Sequence, residues 1–209
     1  MTQKIMEIAQ DVVRAAGNSP RFLMAIAGPP GAGKSTLAEK LFTALDDMGE
    51  RASVVPMDGF HLDNSILESR GLLSRKGAPQ TFDAEGFVDL IRRLADPERF
   101  EQVQIPTFDR ESDKVIPGAQ LVSSEDRILL CEGNYLLLNE HPWIALQDYW
   151  HQTLLINPGF DVVKQRLIDR WLDHGLAPEK ARERALQNDI PNAQYVIEHS
   201  VAADVQITD

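Results

Sequence analysis

Residues 28–36 decide the fold, and they read Gly28-Pro29-Pro30-Gly31-Ala32-Gly33-Lys34-Ser35-Thr36. They match the pattern G-x-x-x-x-G-K-[ST]. This pattern indicates a functional loop only when a buried strand precedes it and a helix follows it. Residues 21–28, RFLMAIAG, are a nearly unbroken apolar run, as a strand buried on both faces requires. Residues 34–48 repeat apolar side chains at helical spacing. The stretch therefore predicts a loop that wraps around phosphate groups.

Each residue type in this loop has a chemical reason. Glycines let the backbone approach a phosphate closely, and the start of the following helix adds aligned N–H groups. Pro29 and Pro30 lack an N–H, so the amide donors must come from residues 31–36. Lys34 is expected to reach the β- and γ-phosphates, and the Ser35 hydroxyl to coordinate Mg²⁺. The predicted cofactors are ATP and Mg²⁺, and the predicted cofactor-binding residues are Gly28, Gly31, Ala32, Gly33, Lys34, Ser35 and Thr36.

Composition and charge narrow the class of protein. The 209 residues are 43% hydrophobic and 25% charged, which is typical of one soluble globular domain. A formal net charge of −11 disfavours a nucleic-acid-binding face, which needs clustered positive charge. A small anionic ligand remains possible, because a few cations outweigh distant acids over a Debye length of about 8 Å. We expect a single domain over residues 1–209.

The cysteine content and hydropathy bear on location. Cys131 is the single cysteine, so an internal disulfide is impossible and a reducing compartment fits. It lies in an apolar run and is expected to be a buried hydrophobe. The sequence contains no apolar stretch long enough to cross a bilayer. These features predict a cytoplasmic protein, monomeric or homodimeric, with neither membrane nor nucleic acid as a partner.

Further strands alternate with helical patterns along the chain. Short apolar runs of strand type occur in residues 51–58, 126–133, 151–158 and 201–208. Pro56 places the first of these at a sheet edge or is its last residue. Residues 161–187 are helical in pattern, with an expected break near Gly175 and Pro178. Strands separated by helices indicate βαβ units, hence an α/β fold with a mainly parallel sheet covered on both faces.

Two carboxylates follow predicted strands. Asp58 begins Asp58-Gly59-Phe60-His61, and Glu132 follows four apolar residues of a predicted strand and precedes Gly133. Asp-Gly is also typical of a turn, and an aspartate there can cap a helix. Ligands in open α/β sheets gather at the carboxyl ends of the strands, so both acids and Lys34 are expected on one rim. Mg²⁺ needs one or two carboxylates, and a hydroxyl acceptor needs an acid to take its proton, so two acids could divide these tasks.

The ordered motifs point to a known family. They are GPPGAGKST, MDGFH, RKGAPQTFD, IPTFDRESDKVIP and CEGNYLLL. From about Arg21 onward the chain resembles the family of phosphoribulokinase, uridine kinase and bacterial pantothenate kinase. It is most similar to short bacterial members labelled nucleoside/nucleotide kinases or fructose transport system kinases. The resemblance implies a P-loop NTPase fold, a three-layer α/β/α sandwich with a helical lid at about residues 161–190.

The resemblance also assigns roles to the acids and to the lid. It implies that Asp58 is the catalytic base and that Glu132 supports Mg²⁺, with Ser35 and Asp58 completing the candidate metal set. Arg166 and Arg170, one helical turn apart, are candidates to neutralise the transferred phosphoryl group. Ordinary solvated charges explain this arginine pair equally well, and Arg182 and Arg184 are weaker candidates. The predicted catalytic residues are Asp58, Lys34, Arg166 and Arg170.

The acceptor side is implied by the segment at residues 105–117. Phe108, Asp109 and Arg110 are expected to line the acceptor pocket together with Asp58, and His61 is a further candidate substrate contact. Uridine kinases carry Tyr-Asp and a downstream histidine at this place. The present chain has Phe108-Asp109 and no histidine in that segment, which disfavours uridine as the substrate.

Other features are secondary. Asp83 is expected to cap a helix. The basic segment Arg75-Lys76-Gly77 is a candidate to hold a negative group of the acceptor, or is a solvated turn. Three further residues, near Pro191, are candidates to frame the nucleotide base: Asn188, Asp189 and Asn192.

These inferences predict an ATP-dependent kinase that phosphorylates a hydroxyl of a small metabolite, with a sugar or sugar-like, fructose-type compound ranked first. A nucleoside or a pantothenate-like alcohol is an alternative acceptor, and a regulatory ATPase without an acceptor is another class. A nucleoside monophosphate kinase is the near competitor, because it would use arginines between the second strand and Glu132. The arginines of that segment include Arg70, Arg75, Arg92 and Arg93.

Overall fold

The computed structural model describes residues 2–208 and contains seven strands, numbered in chain order. They are β1 (Phe22–Ala27), β2 (Ala52–Pro56), β3 (Gln102–Asp109), β4 (Lys114–Ser123), β5 (Ile128–Gly133), β6 (Gln152–Ile156) and β7 (Val205–Ile207). Five of them form one sheet in the order β2-β5-β1-β6-β7, and every neighbouring pair is parallel. The predicted α/β fold with a mainly parallel sheet is confirmed.

Seven α-helices connect and cover these strands. They are α1 (Thr2–Ala16), α2 (Lys34–Asp47), α3 (Asn64–Ser69), α4 (Ala84–Leu94), α5 (Phe160–Asp173), α6 (Pro178–Arg184) and α7 (Ile190–His199). The break expected near Gly175 and Pro178 separates α5 from α6. Between α6 and α7, residues 185–189 form one π-helical turn. No helix in residues 2–208 is both long and apolar enough to span a bilayer.

The central strand β1 shows why the sheet is covered on both faces. Its residues alternate between two hydrophobic clusters, because successive side chains of a strand point to opposite faces. Leu23 and Ala25 pack with Phe87 of α4, whereas Met24 packs with Leu41 of α2. A strand buried on both faces must be apolar throughout, which explains the uninterrupted run in the sequence.

Strand β2 is an edge strand of the sheet, and Pro56 is its last residue. Proline has no N–H to donate to a neighbouring strand, so both positions suit it. Pro56 lies in register with Glu132 of β5. The chain leaves the sheet here, and a 3-10 turn at residues 57–60 follows directly.

An antiparallel hairpin made of β3 and β4 was not predicted from the sequence. The pairing register shifts between Ile105 and Thr107, so Pro106 lies in a bulge where its missing N–H is tolerated. A signal was present, because Val103 and Ile105 are buried while Gln102 and Gln104 are exposed, the alternation of a half-buried strand.

Candidate active site

The glycine loop lies between β1 and α2. Gly33 immediately precedes α2 with φ = +97°, a left-handed conformation that favours glycine. Arg166 of α5 packs over the loop, and its Nη1 donates to the carbonyl oxygens of Gly31 and Ala32, both at 3.3 Å. The loop is thus held between the sheet and α5, with the amino end of α2 facing the space beyond the strands.

Lys34 is a buried cation at the start of α2, and 7% of it is exposed. Its Nζ donates to the carbonyl oxygen of Pro29 at 3.0 Å. Burial lowers the pKa of Lys34 below its usual value, against the attraction of Glu132 and Asp58. Because the loss of hydration outweighs the attraction of the nearby acids, a bound anion would stabilise the charged form of Lys34. This behaviour is expected of a phosphate-binding lysine.

Glu132 and Ser35 meet at the end of β5. The Ser35 hydroxyl donates to Glu132 Oε1 at 3.1 Å, and 6% of Glu132 is exposed. Burial, and then the charge of Asp58, raise the pKa of Glu132 above its usual value. A hydroxyl and a carboxylate suit Mg²⁺, which keeps most of its ligands as phosphate oxygens and water. Residues 2–208 contain no cluster of three His, Cys, Asp or Glu side chains that could hold a metal by themselves.

Asp58 lies in the 3-10 turn after β2, with 27% of its side chain exposed. Arg110 Nη2 pairs with Asp58 Oδ2 at 3.3 Å. A Cβ added to Gly59 would lie 2.3 Å from the carbonyl oxygen of Pro106. Gly59 therefore lets the hairpin bulge approach the turn, and this close approach brings Arg110 to Asp58.

His61 and Phe108 form an aromatic wall beside Asp58. The His61 ring lies 4.5 Å from the Phe108 ring and 4.1 Å from the Phe82 ring, centroid to centroid. Its Nδ1 is 2.8 Å from the Asp58 carbonyl oxygen, and burial lowers the pKa of its imidazole. Lys76 Nζ lies 5.1 Å from the centre of the Phe108 ring.

Asp109 has a different environment from the one expected. Its carboxylate accepts hydrogen bonds from the Ser112 hydroxyl at 2.5 Å and from the N–H groups of Glu111 and Ser112. These bonds, the Ser112 hydroxyl first, lower the pKa of the Asp109 carboxyl. Asp109 therefore stabilises the hairpin turn, while its neighbours Phe108 and Arg110 contact the residues around Asp58.

The candidate lid arginines make different contacts. Arg166 contacts the glycine loop, and the charge of Arg170 contributes to the lowered pKa of Lys34. Arg170 also pairs with Asp189 at 2.9 Å. The guanidinium groups of Arg170 and Arg184 both lie over the Trp171 ring, 5.4 Å and 5.2 Å from its centre.

The residues proposed to frame a nucleotide base contact another segment. Asn188 Nδ2 donates to the carbonyl oxygen of Lys76 at 2.7 Å, and Asn192 Oδ1 accepts from Arg75 Nη2 at 3.2 Å. Both asparagines are buried. Their polar groups are used to hold residues 75–76, because a buried amide must find a hydrogen-bonding partner. These contacts with residues 75–76 disfavour the interpretation of Asn188 and Asn192 as a base pocket.

A cavity of about 800 Å³ lies apart from the glycine loop. Its lining includes Glu140, Trp143, Tyr195 and Phe82, whose ring also contacts His61. Asp83, which caps α4 through the N–H of Gly86 as predicted, is also at its edge. None of its lining residues belongs to residues 28–36, the predicted phosphate-binding loop.

Comparisons with known proteins agree with this geometry. The model of the family described as "Methylmalonyl Co-A mutase-associated GTPase MeaB" matches residues 2–67, which is less than half of the chain. A Schizosaccharomyces pombe protein named "Putative uridine kinase C227.14" is 32% identical over 95% of this chain and 88% of that protein. The pantothenate kinase of Leifsonia xyli subsp. xyli is 31% identical over 63% of this chain and 41% of that enzyme.

A solved structure is similar over almost the whole chain. It is described as the "Crystal structure of putative fructose transport system kinase" from Silicibacter sp. TM1040, with 43% identity, a TM-score of 0.91, and coverage of 97% of this chain and 98% of that one. The parallel sheet, the glycine loop and these likenesses define a P-loop kinase. The chain belongs to the P-loop kinase family that includes uridine kinase and pantothenate kinase, and it is a phosphotransferase that acts on an alcohol group.

Proposed function

We propose that this kinase transfers the γ-phosphate of ATP to a hydroxyl of a sugar or sugar-like metabolite held between Lys34 and Asp58. One observation carries the proposal: two acids near Lys34 have different partners. Glu132 accepts from the Ser35 hydroxyl and is buried, whereas Asp58 is partly exposed and contacts Arg110 on the hairpin. The buried acid suits the metal, and the partly exposed acid suits the acceptor.

Asp58 is the proposed base. Its carboxylate orients the acceptor hydroxyl and takes the proton, while the hydroxyl oxygen bonds to the γ-phosphorus and the bond to the β–γ bridging oxygen breaks. Mg²⁺·ATP supplies the phosphoryl group, and the products are ADP and the phosphorylated alcohol. Ser35 and Glu132 would hold Mg²⁺, with Asp58 close enough to be a second acidic partner. Lys34 and the amides of residues 31–36 stabilise the charge on the transferred group.

Arg166 and Arg170 are proposed as the arginines of a lid formed by about residues 161–190 within one domain of residues 1–209. Both belong to α5, which packs on the glycine loop. Their guanidinium groups would neutralise charge spreading over the transferred phosphoryl oxygens.

The aromatic wall supports a compact acceptor with an apolar face. His61 and Phe108 offer ring surfaces, and Arg110 offers hydrogen-bond donors. A sugar-like alcohol is placed first because the Silicibacter protein, described as a fructose transport system kinase, is similar over almost its whole length. A nucleoside and a pantothenate-like alcohol are the alternatives, supported by the names of the other two relatives.

The four arginines of the nucleoside monophosphate kinase hypothesis do not converge beside Asp58. Arg92 pairs with Asp89, and Arg93 lies over the Phe100 ring. Arg70 and Arg75 line the separate cavity. Arg110 of the same segment does pair with Asp58, so one arginine rather than a cluster is present at the acceptor side.

We also propose a cytoplasmic location and a monomeric or homodimeric state. The buried thiol of Cys131 suits a reducing compartment, and burial raises its pKa so that it stays protonated. The acidic charge continues to argue against a nucleic-acid partner.

The test is a coupled assay of ADP release with Mg²⁺·ATP against sugars, nucleosides and pantothenate-like alcohols, with products identified by mass. We expect one class to stimulate ADP release and to gain one phosphoryl group. Intact ATP binding with slow hydrolysis and no phosphorylated product from any pool would favour the regulatory ATPase and refute the kinase. A phosphorylated nucleoside or pantothenate-like alcohol would replace the sugar within the same mechanism.

A further inference from the structure

The π-helical turn at residues 185–189 contacts two separate parts of the molecule through consecutive side chains. Asp189 accepts from α5, and Asn188 donates to the segment that carries Lys76. A π-turn is wider than an α-turn and is frequent at functional sites.

On the phosphate side, Asp189 fixes the direction of Arg170. Asp189 Oδ2 accepts from Arg170 Nη2 at 2.9 Å and from Trp171 Nε1 at 2.6 Å. The Asp189 side chain is 13% exposed and that of Arg170 is 38% exposed, so the carboxylate is the shielded partner of the pair. Arg170 follows Arg166 by one helical turn on α5, and Arg166 donates to the carbonyl oxygens of Gly31 and Ala32 in the glycine loop. A phosphate bound at Lys34 would therefore act on Arg170, which is connected directly to the turn.

On the acceptor side, residues 185–192 hold the segment before Phe82. Asn188, 2% exposed, donates to the Lys76 carbonyl oxygen at 2.7 Å. Arg75 donates to the Gln187 carbonyl oxygen at 3.0 Å and to Asn192 at 3.2 Å.

The same segment reaches the hairpin beside the acceptor site. Lys76 Nζ pairs with Asp113 Oδ1 at 2.8 Å and donates to Asn64 Oδ1 at 2.8 Å. Its charge lies over the Phe108 ring. The backbone of Lys76 is thus held by the turn while its side chain holds the tip of the hairpin.

We propose that Asn188 and Asp189 are positioning residues that couple nucleotide binding at Lys34 to the ordering of the acceptor wall. This inference rests on the proposed function in that it needs nucleotide at the glycine loop, but it needs no acceptor. Phosphates that engage Arg170 favour one arrangement of the Asp189 pair and of the π-turn. Asn188 then holds the backbone of Lys76 in the matching position through its hydrogen bond. The Lys76 side chain in turn orders Phe108 and the hairpin. A coupling of this kind requires that nucleotide interact differently with the ordered and loosened states of the segment.

The test is amide hydrogen exchange of the full chain, with and without saturating Mg²⁺ and the non-hydrolysable ATP analogue AMPPNP. In the wild type we expect the nucleotide to slow exchange of residues 75–82 and 108–114 by at least about fivefold, the lower end of ordinary coupling factors. Asp189→Asn keeps the shape and the acceptor atom for Trp171 but removes the charge that holds Arg170. It should lose most of the slowing in both segments while its exchange without nucleotide stays close to that of the wild type.

Asn188→Leu removes the donor to Lys76 and should lose the slowing while binding AMPPNP with wild-type affinity in calorimetry. Gln187→Leu is the matched control, since it changes an exposed side chain of the same turn, and it should keep the slowing. Asp189→Glu should restore part of it. Wild-type slowing in both Asp189→Asn and Asn188→Leu, or no slowing in the wild type, would overturn the proposal. If the wild type transfers phosphate but AMPPNP does not slow its amide exchange, the coupling is refuted and the kinase activity stands. If AMPPNP slows the exchange but no acceptor is phosphorylated, the kinase activity is refuted and the coupling stands.

Discussion

The phosphate side and the acceptor side of the site are built in different ways. The phosphate side comes from nine consecutive residues, 28–36, plus Glu132 on the strand adjacent to β1. The acceptor side combines Asp58, Lys76 and the hairpin around Phe108, with supports as distant in sequence as Asn188. The first is a local structure on a parallel sheet, whereas the second exists only when distant segments pack together.

The two sides also differ in burial. Lys34 and Glu132 are 7% and 6% exposed, whereas the Arg110 side chain that reaches Asp58 is 71% exposed. Buried charges in fixed geometry are prepared for one ligand chemistry, because polar groups held in a dry site need little rearrangement. An exposed ion pair is weak and can be exchanged for a substrate group. The contrast explains how one nucleotide chemistry can serve a family with different acceptors.

The largest expected effect separates the two sides at Asp58. Asp58→Asn should lower kcat by about 10²- to 10⁴-fold, the usual contribution of a general base, while the affinity for Mg²⁺·ATP stays nearly unchanged. The measurements are steady-state kinetics with the identified acceptor and calorimetry with AMPPNP. Asp63→Asn is the matched control, since that nearby exposed acid makes no capping bond to α3. Retained transfer in Asp58→Asn would remove Asp58 as the base.

The next effect tests the phosphate side at Glu132. Glu132→Gln keeps the shape and the partner of the Ser35 hydroxyl but removes the negative charge. We expect the Mg²⁺ concentration for half-maximal activity to rise by roughly 10- to 100-fold, as for other residues that support a metal site. Glu125→Gln, an exposed acid just before β5, should leave the metal dependence unchanged. Unchanged dependence in Glu132→Gln would contradict its assignment to Mg²⁺.

A smaller effect is expected when the contact between the turn and the hairpin is disturbed. Gly59→Ala places a Cβ 2.3 Å from the Pro106 carbonyl oxygen, so the hairpin must shift. We expect a loss of about 1–3 kcal/mol in the free energy of unfolding, with a raised KM for the acceptor. Gly33→Ala strains a left-handed residue in open space and should instead weaken nucleotide binding. If Gly59→Ala and Gly33→Ala each weakened acceptor binding and nucleotide binding to the same extent, the separation of the two sides would be refuted.

The smallest effect is the pH range of nucleotide binding. Metal and phosphate binding need Glu132 ionised and Lys34 protonated. The pKa of Glu132 is raised from 4.5, so protonation weakens binding at a higher pH than for an ordinary glutamate as pH falls. The pKa of Lys34 is lowered from 10.5, so its charge is lost earlier as pH rises. Calorimetry with Mg²⁺·AMPPNP should show two losses of affinity: one as the pH falls, beginning above pH 4.5, and one as the pH rises, beginning below pH 10.5. Glu132→Gln should lose the acid limit, and its persistence would exclude Glu132 as the titrating group.

Much of the fold was predictable because its signals are local. The apolar run of β1 required cover on both faces, and Pro56 could occupy only an edge or a strand end. The hairpin was missed because its strands are half-exposed and interrupted by Pro106 at a bulge. The motif M-D-G-F-H showed that residue 59 is a glycine, but the reason lies in Pro106, which is 47 positions away.

The candidate site also combines residues with local sequence signals and residues whose contacts depend on distant segments. Consecutive residues such as Gly33, Lys34 and Ser35 are placed by the backbone of one loop, and the parallel order of β1 and β5 brings Glu132 to it. The sequence by itself therefore determined the P-loop kinase class and predicted which residues would bind phosphate. Tertiary structure alone decided that Arg110 meets Asp58, that Asp109 stabilises a turn, and that Asn188 holds Lys76. The physical reason is that these contacts join segments far apart in the chain, and their geometry depends on how whole elements pack.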